Sequence, residues 1–307
     1  MPAYLVTGGA GFIGSNICDE LTDRNMKTRV FDNLSTGKTD NLRHLEGKIE
    51  FIKGDLRNMD DLKPAVKGID TIFHLAAIPS VIRSVQDPVT SNSANIDGTL
   101  NLLVAARDAG VRRIIFAGSS SAYGDTVEDS KYEDMKPSPL SPYAISKVTG
   151  EYYCRVFSNL YGIETVVLRY FNVFGPRQDP SSPYSGVISI FVKKMKSGEQ
   201  PTIYGNGEQS RDFTFVKNVI NANLLAAKTE GISGNIINIA CASRITVNKL
   251  VEQLNEILGT HISPLYAEPR PGDILHSLAD ISKAKKLLGY EPEVPFGEGL
   301  RKTVESI

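Results

Sequence analysis

The chain has 307 residues, 41% of them hydrophobic and 22% charged, so it can bury one large core or two smaller ones. A formal net charge of −1 without a basic run argues against a nucleic-acid partner. No apolar stretch reaches the roughly 18 residues that suggest a membrane span. The opening "MPAYLVTGG" lacks the basic and apolar regions of a signal peptide. Three scattered cysteines and four isolated histidines indicate free thiols, no metal site and a cytoplasmic protein.

The first half of the chain alternates short apolar runs with longer amphipathic stretches. The runs predict strands at residues 3–7, 29–31, 49–52, 71–75, 113–117 and 164–170. The longer stretches predict helices near residues 11–24, 58–67, 93–109 and 142–161. Because the strands are apolar on both faces, we expect an α/β fold with a doubly wound parallel sheet covered by helices on both sides.

After residue 172 this alternation becomes irregular. Helices are predicted at 187–197 and 216–229, a sheet strand at 235–240, and loops at 175–186 and 261–273. We therefore expect two parts. The sheet domain comprises residues 1–171, with the chain returning to it at about 212–240, and a smaller α/β lobe comprises residues 172–211 and 241–307.

A glycine-rich segment, "TGGAGFIG", follows the first strand and precedes the first helix. Gly9, Gly11 and Gly14 fit the spacing G-x-G-x-x-G, and Gly8 replaces Gly9 in a longer variant. Taken alone, these glycines could mark an ordinary turn. Between a strand and a helix, they let a pyrophosphate approach the backbone N–H groups of the helix N-terminus. The context therefore predicts a dinucleotide site.

An acidic residue, Asp32, ends the second strand in "VFDN". Its carboxylate can accept hydrogen bonds from both adenosine ribose hydroxyls and would repel a 2′-phosphate. No Arg or Lys follows until Lys38, so the sequence favours NAD over NADP. Asp55 in "GDLR" follows the third strand, where it could lie beside the adenine or cap the next helix.

A tyrosine and a lysine stand four positions apart in "SPYAISK". On a helix, Tyr143 and Lys147 would be neighbours, and an ammonium favours the phenolate form of a tyrosine. Tyr143 is then a candidate proton acceptor. On these seven residues alone, an ordinary pair on a solvated helix face remains the alternative.

Several motifs in the same order identify a family. "TGGAGFIG", Asp32, "HLAA" (74–77), "GSSSAYG" (118–124) and "YAISK" together resemble the extended short-chain dehydrogenase/reductase family, from residue 3 to beyond 290. Within it, the chain is most similar to nucleotide-sugar 4-epimerases that act on UDP-glucose or UDP-N-acetylglucosamine. The resemblance implies that Tyr143 is the catalytic base, Lys147 binds the nicotinamide ribose and lowers the tyrosine pKa, and Ser119 bonds the reacting hydroxyl.

The resemblance also implies which residues contact the two ligands. The NAD site would comprise Gly8, Gly11, Phe12, Ile13, Gly14, Asp32, Asn33, Ser35, Thr36, Gly37, Asp55, Leu56, Leu75, Ala76, Ala77, Tyr143, Lys147, Tyr170 and Val173. The UDP-sugar site would comprise Ser80, Ser120, Ser121, Tyr143, Asn172, Val187, Tyr204, Arg211, Arg270, Asp273 and Ser277. Taken alone, the arginines could be surface ion-pair members and the serine run a polar loop.

The absence of two carboxylates after the catalytic serine narrows the type of reaction. Family members that dehydrate the sugar carry an Asp–Glu pair after the catalytic hydroxyl residue, where this chain has Ser120 and Ser121. A Ser/Tyr/Lys set suffices to oxidise an alcohol and return the hydride, which favours epimerisation. A small Ser277, at the position that faces the sugar C2 substituent in the family, favours UDP-GlcNAc/UDP-GalNAc, with UDP-Glc/UDP-Gal as a further pair.

Other functions of the same fold stay open at this point. A UDP-glucuronate 4-epimerase would need a cation near C6, for which the sequence offers no clear candidate. A nucleotide-sugar reductase would consume NADH, and an NAD-sensing interaction protein would need no catalytic set. The resemblance also implies a homodimer formed through the helices near 93–109 and 142–161, although their apolar faces could instead pack on the protein's own sheet.

Overall fold

The computed structural model describes residues 3–126, 128–179, 186–269 and 275–307. Within these ranges the strands, in chain order, are β1 (Ala3–Thr7), β2 (Lys27–Asp32), β3 (Glu50–Lys53), β4 (Thr71–His74), β5 (Arg113–Ser119), β6 (Glu164–Tyr170), β7 (Val173–Phe174), β8 (Thr202–Tyr204), β9 (Ser210–Arg211), β10 (Thr214–Phe215), β11 (Ile236–Ile239), β12 (Ile245–Thr246) and β13 (Leu265–Ala267).

The α-helices of the same ranges are α1 (Phe12–Asp23), α2 (Met59–Val66), α3 (Val81–Gln86), α4 (Pro88–Asn92), α5 (Gly98–Asp108), α6 (Pro142–Tyr161), α7 (Val187–Lys196), α8 (Val216–Lys228), α9 (Val247–Leu258), α10 (Ser282–Leu288) and α11 (Phe296–Ser306). A π-helical turn, Ser93–Asp97, joins α4 to α5 without a break. Short 3₁₀ turns follow β2 and β5, at Thr39–Leu45 and Ser120–Tyr123.

Seven strands form one parallel sheet in the order β11-β6-β5-β4-β1-β2-β3. The six strands predicted in the first half, and the later one at 235–240, are all confirmed. Strand β1 pairs with β2 on one side and with β4, which comes later in the chain, on the other. This reversal opens a crevice at the carboxyl ends of the strands, where ligands bind in doubly wound folds.

Alternation along the strands sends neighbouring side chains into two separate cores. Leu5 packs in the layer that contains α2, α5 and α6, whereas the next residue, Val6, packs in the layer with α1 and α8. Ile72 and Phe73 on β4 divide in the same way. Both faces of the sheet are therefore buried under helices, as the uniformly apolar strands predict.

The second half of the chain is held to the sheet at β11, which pairs with β6. The described part of the second half also contains three two-stranded sheets, β7–β10, β8–β13 and β9–β12. β13 falls within residues 261–273, which we expected to be a loop; short strands of three residues carry too little periodicity to be recognised. In the described ranges, no helix has the length and apolar character needed to cross a membrane.

Candidate active site

The loop between β1 and α1 lies unusually close to the loop after β4. Gly8 has a φ of +70°, and a Cβ added there would lie 2.7 Å from the Ala76 backbone nitrogen. A Cβ at Gly14 would lie 2.3 Å from the Gly8 carbonyl oxygen. Because side chains do not fit here, the N-terminus of α1 is left open to the crevice. This cradle fits the pyrophosphate of a dinucleotide.

Asp32, at the end of β2, is fixed behind the glycine loop. Its Oδ2 accepts a hydrogen bond from the Ala10 N–H at 3.0 Å, and its Oδ1 accepts one from Leu34 N–H at 2.8 Å. Burial raises the pKa of the carboxyl, and these two bonds oppose the rise. Each oxygen keeps a second lone pair, so the carboxylate can still accept from a ribose diol.

A second acidic residue, Asp55, lies next to Asp32 along the same rim. It accepts from Asn33 Nδ2 at 2.9 Å and from the Arg57 guanidinium at 2.7 and 2.9 Å. Arg57 holds the pKa of Asp55 well below its usual range. The helix-capping alternative for Asp55 is wrong, because the N-cap of α2 is Asn58.

These loops surround a cleft of about 950 Å³ at the carboxyl ends of β1, β2 and β4. Seventeen of the residues expected to contact NAD line it: Gly8, Gly11, Phe12, Ile13, Gly14, Asp32, Asn33, Ser35, Thr36, Asp55, Leu56, Leu75, Ala76, Ala77, Tyr143, Lys147 and Tyr170. Gly37 and Val173 do not. A Cβ at Gly37 would lie 3.0 Å from Asp32 Oδ2, so Gly37 packs directly against the Asp32 carboxylate.

Two of the three expected catalytic side chains, Tyr143 and Lys147, line this cleft. They are one turn apart on α6, and the third, Ser119, ends strand β5, where Ala117 and Gly118 line the cleft. The Ser119 side chain is close enough to the Tyr143 phenol to act on its pKa. Ser119 Oγ accepts from Ser121 N–H at 3.2 Å and from Ser121 Oγ at 2.9 Å. Lys147 Nζ donates to the Ala117 carbonyl at 2.9 Å.

The pKa of Tyr143 moves opposite to the direction that the Tyr–Lys spacing suggested. Burial raises it, while the Ser119 side chain opposes the rise. The Lys147 ammonium lies 5.9 Å from the Tyr143 ring centroid and 5.1 Å from the Phe116 ring, with its bond directed to Ala117. Burial also lowers the pKa of Lys147 to about 8. Loss of water therefore outweighs the cation's effect on the phenol.

A smaller cavity of about 270 Å³ adjoins the cleft, and Gln178 and Gly186 line both. Its wall includes four residues expected to contact the nucleotide sugar, Asn172, Val187, Tyr204 and Arg211, as well as Val173. Val173 therefore lines the smaller cavity, and does not line the cleft that is expected to hold the nicotinamide. Asn172 has a φ of +35° and its Nδ2 donates to the Asp212 carbonyl at 3.2 Å.

The remaining expected sugar contacts are divided. Ser80 lines the large cleft and caps α3, while Ser120 and Ser121 form the turn after β5. Ser277 is buried, lines neither cavity, and donates its backbone N–H to the Ser210 carbonyl at 3.1 Å. Arg270 and Asp273 lie outside the described residues.

Sequence reasoning missed three residues that shape the site. Arg177 and Gln178 line the cleft, in a stretch whose Pro and Gly content suggested only a loop. Asn95, in the π-helical turn, accepts from Ile78 N–H at 2.8 Å and donates to Ser146 Oγ at 3.1 Å. Asn95 therefore joins the loop after β4 to the helix that carries Tyr143. The sequence around Asn95, "NSANID", carries no signal that distinguishes it from an ordinary polar helix position.

Comparison with known proteins gives consistent results. The family model for the NAD dependent epimerase/dehydratase family matches residues 4–240. The UDP-N-acetylglucosamine 4-epimerase from Methanobrevibacter ruminantium M1, solved with UDP-N-acetylmuramic acid, is 43% identical, with 99% of this chain and 97% of that chain covered and a TM-score of 0.95. The UDP-glucose 4-epimerase from Thermotoga maritima, solved with UDP-glucose, is 40% identical, with 99% and 98% covered and a TM-score of 0.94.

A more distant solved structure has the cofactor in place. The UDP-glucuronic acid 4-epimerase from Bacillus cereus, in complex with UDP-glucuronic acid and NAD, is 35% identical, with 99% and 98% of the two chains covered and a TM-score of 0.92. The matches span the cleft, the glycine cradle and the smaller cavity alike. The chain belongs to the NAD-dependent epimerase/dehydratase family, and its cofactor is NAD.

Proposed function

We propose that this protein is an NAD-dependent 4-epimerase of UDP-hexoses, which interconverts UDP-GlcNAc with UDP-GalNAc and also acts on UDP-Glc and UDP-Gal. The observation that carries the proposal is the position of Tyr143 and Lys147 in the wall of the dinucleotide cleft, with Ser119 next to the Ala117 and Gly118 that line it. The Ser120–Tyr123 turn that follows Ser119 contains no carboxylate, so it lacks the acid and base that a dehydration requires.

The chain's own residues move one proton. Tyr143 accepts the proton of the sugar C4 hydroxyl, which Ser119 holds by a hydrogen bond, and later returns it. NAD, when bound, supplies the hydride acceptor and donor and a second positive charge that favours the phenolate. Held by the glycine cradle and Asp32, the cofactor would take up the C4 hydrogen as hydride and give it back, and delivery to the opposite face of the keto sugar would invert C4. No net oxidation occurs, so one cofactor serves many turnovers.

The smaller cavity suits the nucleotide half of the substrate. A diphosphate needs cations, and the Arg211 guanidinium presents several donors in a plane that matches phosphate oxygens. Tyr204 offers an aromatic face for the uracil, and Asn172 a side-chain amide. With the nucleotide anchored there, the sugar can turn over while the keto carbon stays near Tyr143.

The two cavities also support a division of the chain. We propose that residues 1–171 and 212–240 form the NAD-binding domain, and that 172–211 and 241–307 form the sugar-binding lobe. Residues of the first set make up most of the wall of the large cleft, and residues of the second set most of the wall of the smaller cavity.

A homodimer and a cytoplasmic location complete the proposal. α6 buries one face against the sheet but exposes Ile145, Tyr152 and Val156 on the other. Leu100 and Val104 on the neighbouring α5 are half-buried beside it. Two copies of this pair of helices would cover the apolar stripe in a four-helix arrangement. All three cysteines are free, which suits a reducing compartment.

The decisive experiment incubates the purified protein with UDP-GlcNAc, and separately with UDP-Glc, without added cofactor. We expect the C4 epimer of each by NMR or chromatography, and NAD released on denaturation of the protein. In a parallel reaction with added NADH, stoichiometric consumption of the NADH would indicate a reductase instead. In a parallel reaction with UDP-glucuronic acid, turnover of this sugar alone would favour the uronate epimerase. NAD binding without turnover of any of these sugars would favour a sensing role.

A further inference from the structure

A buried ion pair lies directly behind the catalytic helix. Glu151 on α6 is 2% exposed and Arg169 on β6 is 1% exposed. Arg169 Nε donates to Glu151 Oε1 at 2.9 Å, and Nη2 donates to Oε2 at 2.7 Å. Two parallel bonds of this kind fix the orientation of a carboxylate as well as its charge.

Glu151 is one helical turn beyond Lys147 on the same face of α6. Between them and Ser119 lies Gly118, where a Cβ would come within 3.2 Å of both Glu151 Oε1 and the Arg169 Cγ. The absence of a side chain there lets the ion pair pack against β5 directly below the catalytic serine. Glu151 is thus the acidic group that acts on the Lys147 ammonium.

The other end of the pair reaches the turn that follows Ser119. The Arg169 guanidinium lies over the Tyr123 ring, 4.6 Å from its centroid. Tyr123 in turn donates its hydroxyl to Asn238 Oδ1 at 2.7 Å. The pair therefore contacts both structures that present the reacting groups, namely the helix with Tyr143 and the serine turn.

We propose that Glu151, held by Arg169, is the positioning residue that keeps Lys147 charged beside Tyr143. The inference rests on the proposed function and extends it. Burial alone lowers the pKa of Lys147, and Glu151 opposes that effect most strongly. The other titratable groups around Lys147 are Tyr143 and Cys154 on α6 and His74 on β4, none of which carries a negative charge at neutral pH.

The test replaces the charge of Glu151 and follows the pH dependence of kcat. In Glu151→Gln, the alkaline limb of the profile should move to lower pH, because burial then lowers the pKa of Lys147 without an opposing negative charge. A direct readout without turnover is the ¹³C signal of the Lys147 ε-carbon in lysine-labelled protein, assigned with Lys147→Arg. Its titration should move by the same amount.

Two further variants separate charge from folding. Glu151→Gln leaves Arg169 buried and unpaired, so the double variant Glu151→Gln/Arg169→Met removes both charges and should restore stability while keeping the shifted limb. The matched control is Glu164→Gln, which removes one of the two carboxylates paired with the equally buried Arg113, at the far end of β6. Its alkaline limb should coincide with that of the wild type.

The outcomes are distinguishable from failure of the proposed function. If the wild-type protein turns over no UDP-hexose, the function is wrong, while the NMR titration still tests the effect of Glu151 on Lys147. If the wild type is active and the titration of Lys147 in Glu151→Gln and in the double variant matches the wild type, the positioning role is overturned. A wild-type profile restored in the double variant would likewise assign the pair a purely structural role.

Discussion

Tyr143 is held at two points that do not depend on its hydroxyl group taking part in a reaction. Its backbone N–H donates to Ser84 Oγ at 3.0 Å, and its half-buried ring lies beside Lys147. Removal of the hydroxyl group should therefore leave its surroundings in place. This makes the phenol a clean target for substitution.

Tyr143→Phe should lower kcat on UDP-hexoses by about 100-fold to 10,000-fold, as expected when a general base is lost. NAD affinity and the melting temperature should stay near wild-type values. Steady-state kinetics and cofactor titration provide the measurements. Turnover within a few-fold of wild type would remove the assignment of Tyr143 as the base.

Ser277 is the residue proposed to decide which C2 substituent fits. It is buried, and its backbone N–H is tied to Ser210, next to the Arg211 of the smaller cavity. Ser277→Tyr should reduce kcat/KM for UDP-GlcNAc at least about tenfold more than for UDP-Glc, because a few heavy atoms of steric conflict amount to a few kcal/mol. Ser277→Ala, which removes only a hydroxyl group, is the control. An equal loss of kcat/KM on both sugars would contradict the proposal that Ser277 lies beside the C2 substituent.

At the scale of elements, His74 connects three of them at the switch point of the sheet. From the end of β4, its ring bonds Thr7 Oγ1 on β1 at 2.8 Å and Thr99 Oγ1 on α5 at 3.0 Å. Thr99 Oγ1 donates its only proton to the Asn95 carbonyl. In its bond with His74, Thr99 Oγ1 must therefore accept the proton of Nε2. The imidazole is neutral. Burial lowers the pKa of His74 to about 3.

This imidazole makes the fold sensitive to acid. In the unfolded chain it gains a proton below its ordinary pKa of 6.5, whereas in the folded chain it stays neutral down to about 3. Stability is therefore lost as the pH falls through this window, by about 2 kcal/mol between pH 6.5 and pH 5. His74→Asn should remove that part of the slope in urea unfolding.

Two comparisons make the measurement specific. Asp212, whose pKa burial raises to about 6, contributes the opposite slope, but it does so equally in both proteins. His261, which is exposed, is the control position, and His261→Asn should keep the wild-type slope. Equal slopes in wild type and His74→Asn would show that the ring is not the acid-sensitive group.

Elements were predictable where the pattern is local and repeated. The sheet strands were readable because they are apolar runs placed between amphipathic helices, and the glycine cradle because its spacing is fixed by close backbone contacts. Val173 and Ser277 could not be placed, since each depends on how two distant segments meet. The raised pKa of Tyr143 could not be predicted from the sequence either, because burial depends on how the whole site packs.

At the scale of the whole molecule, the exposed stripe on α6 is an apolar feature that the single chain leaves uncovered. Tyr152 is 55% exposed and Val156 is 44% exposed. Tyr152→Glu combined with Val156→Asp places two charges in the proposed interface and should convert the proposed dimer to a single chain of 33.5 kDa. Light scattering after size exclusion measures the mass.

The control for this experiment is Phe51→Glu, which adds a charge at a 39%-exposed aromatic position on β3, at the opposite edge of the sheet. It should remain dimeric. A wild-type protein that elutes with the mass of one chain would contradict the dimer outright.

One helix, α6, carries Tyr143 and Lys147 on its inner face and this stripe on its outer face. In the proposed homodimer, separation of the subunits would expose the outer face of the same helix that presents the Tyr143 phenol. Specific activity should then decline when the protein is diluted below the dissociation constant of the proposed dimer, so the concentration of the enzyme would itself set how fast each copy works.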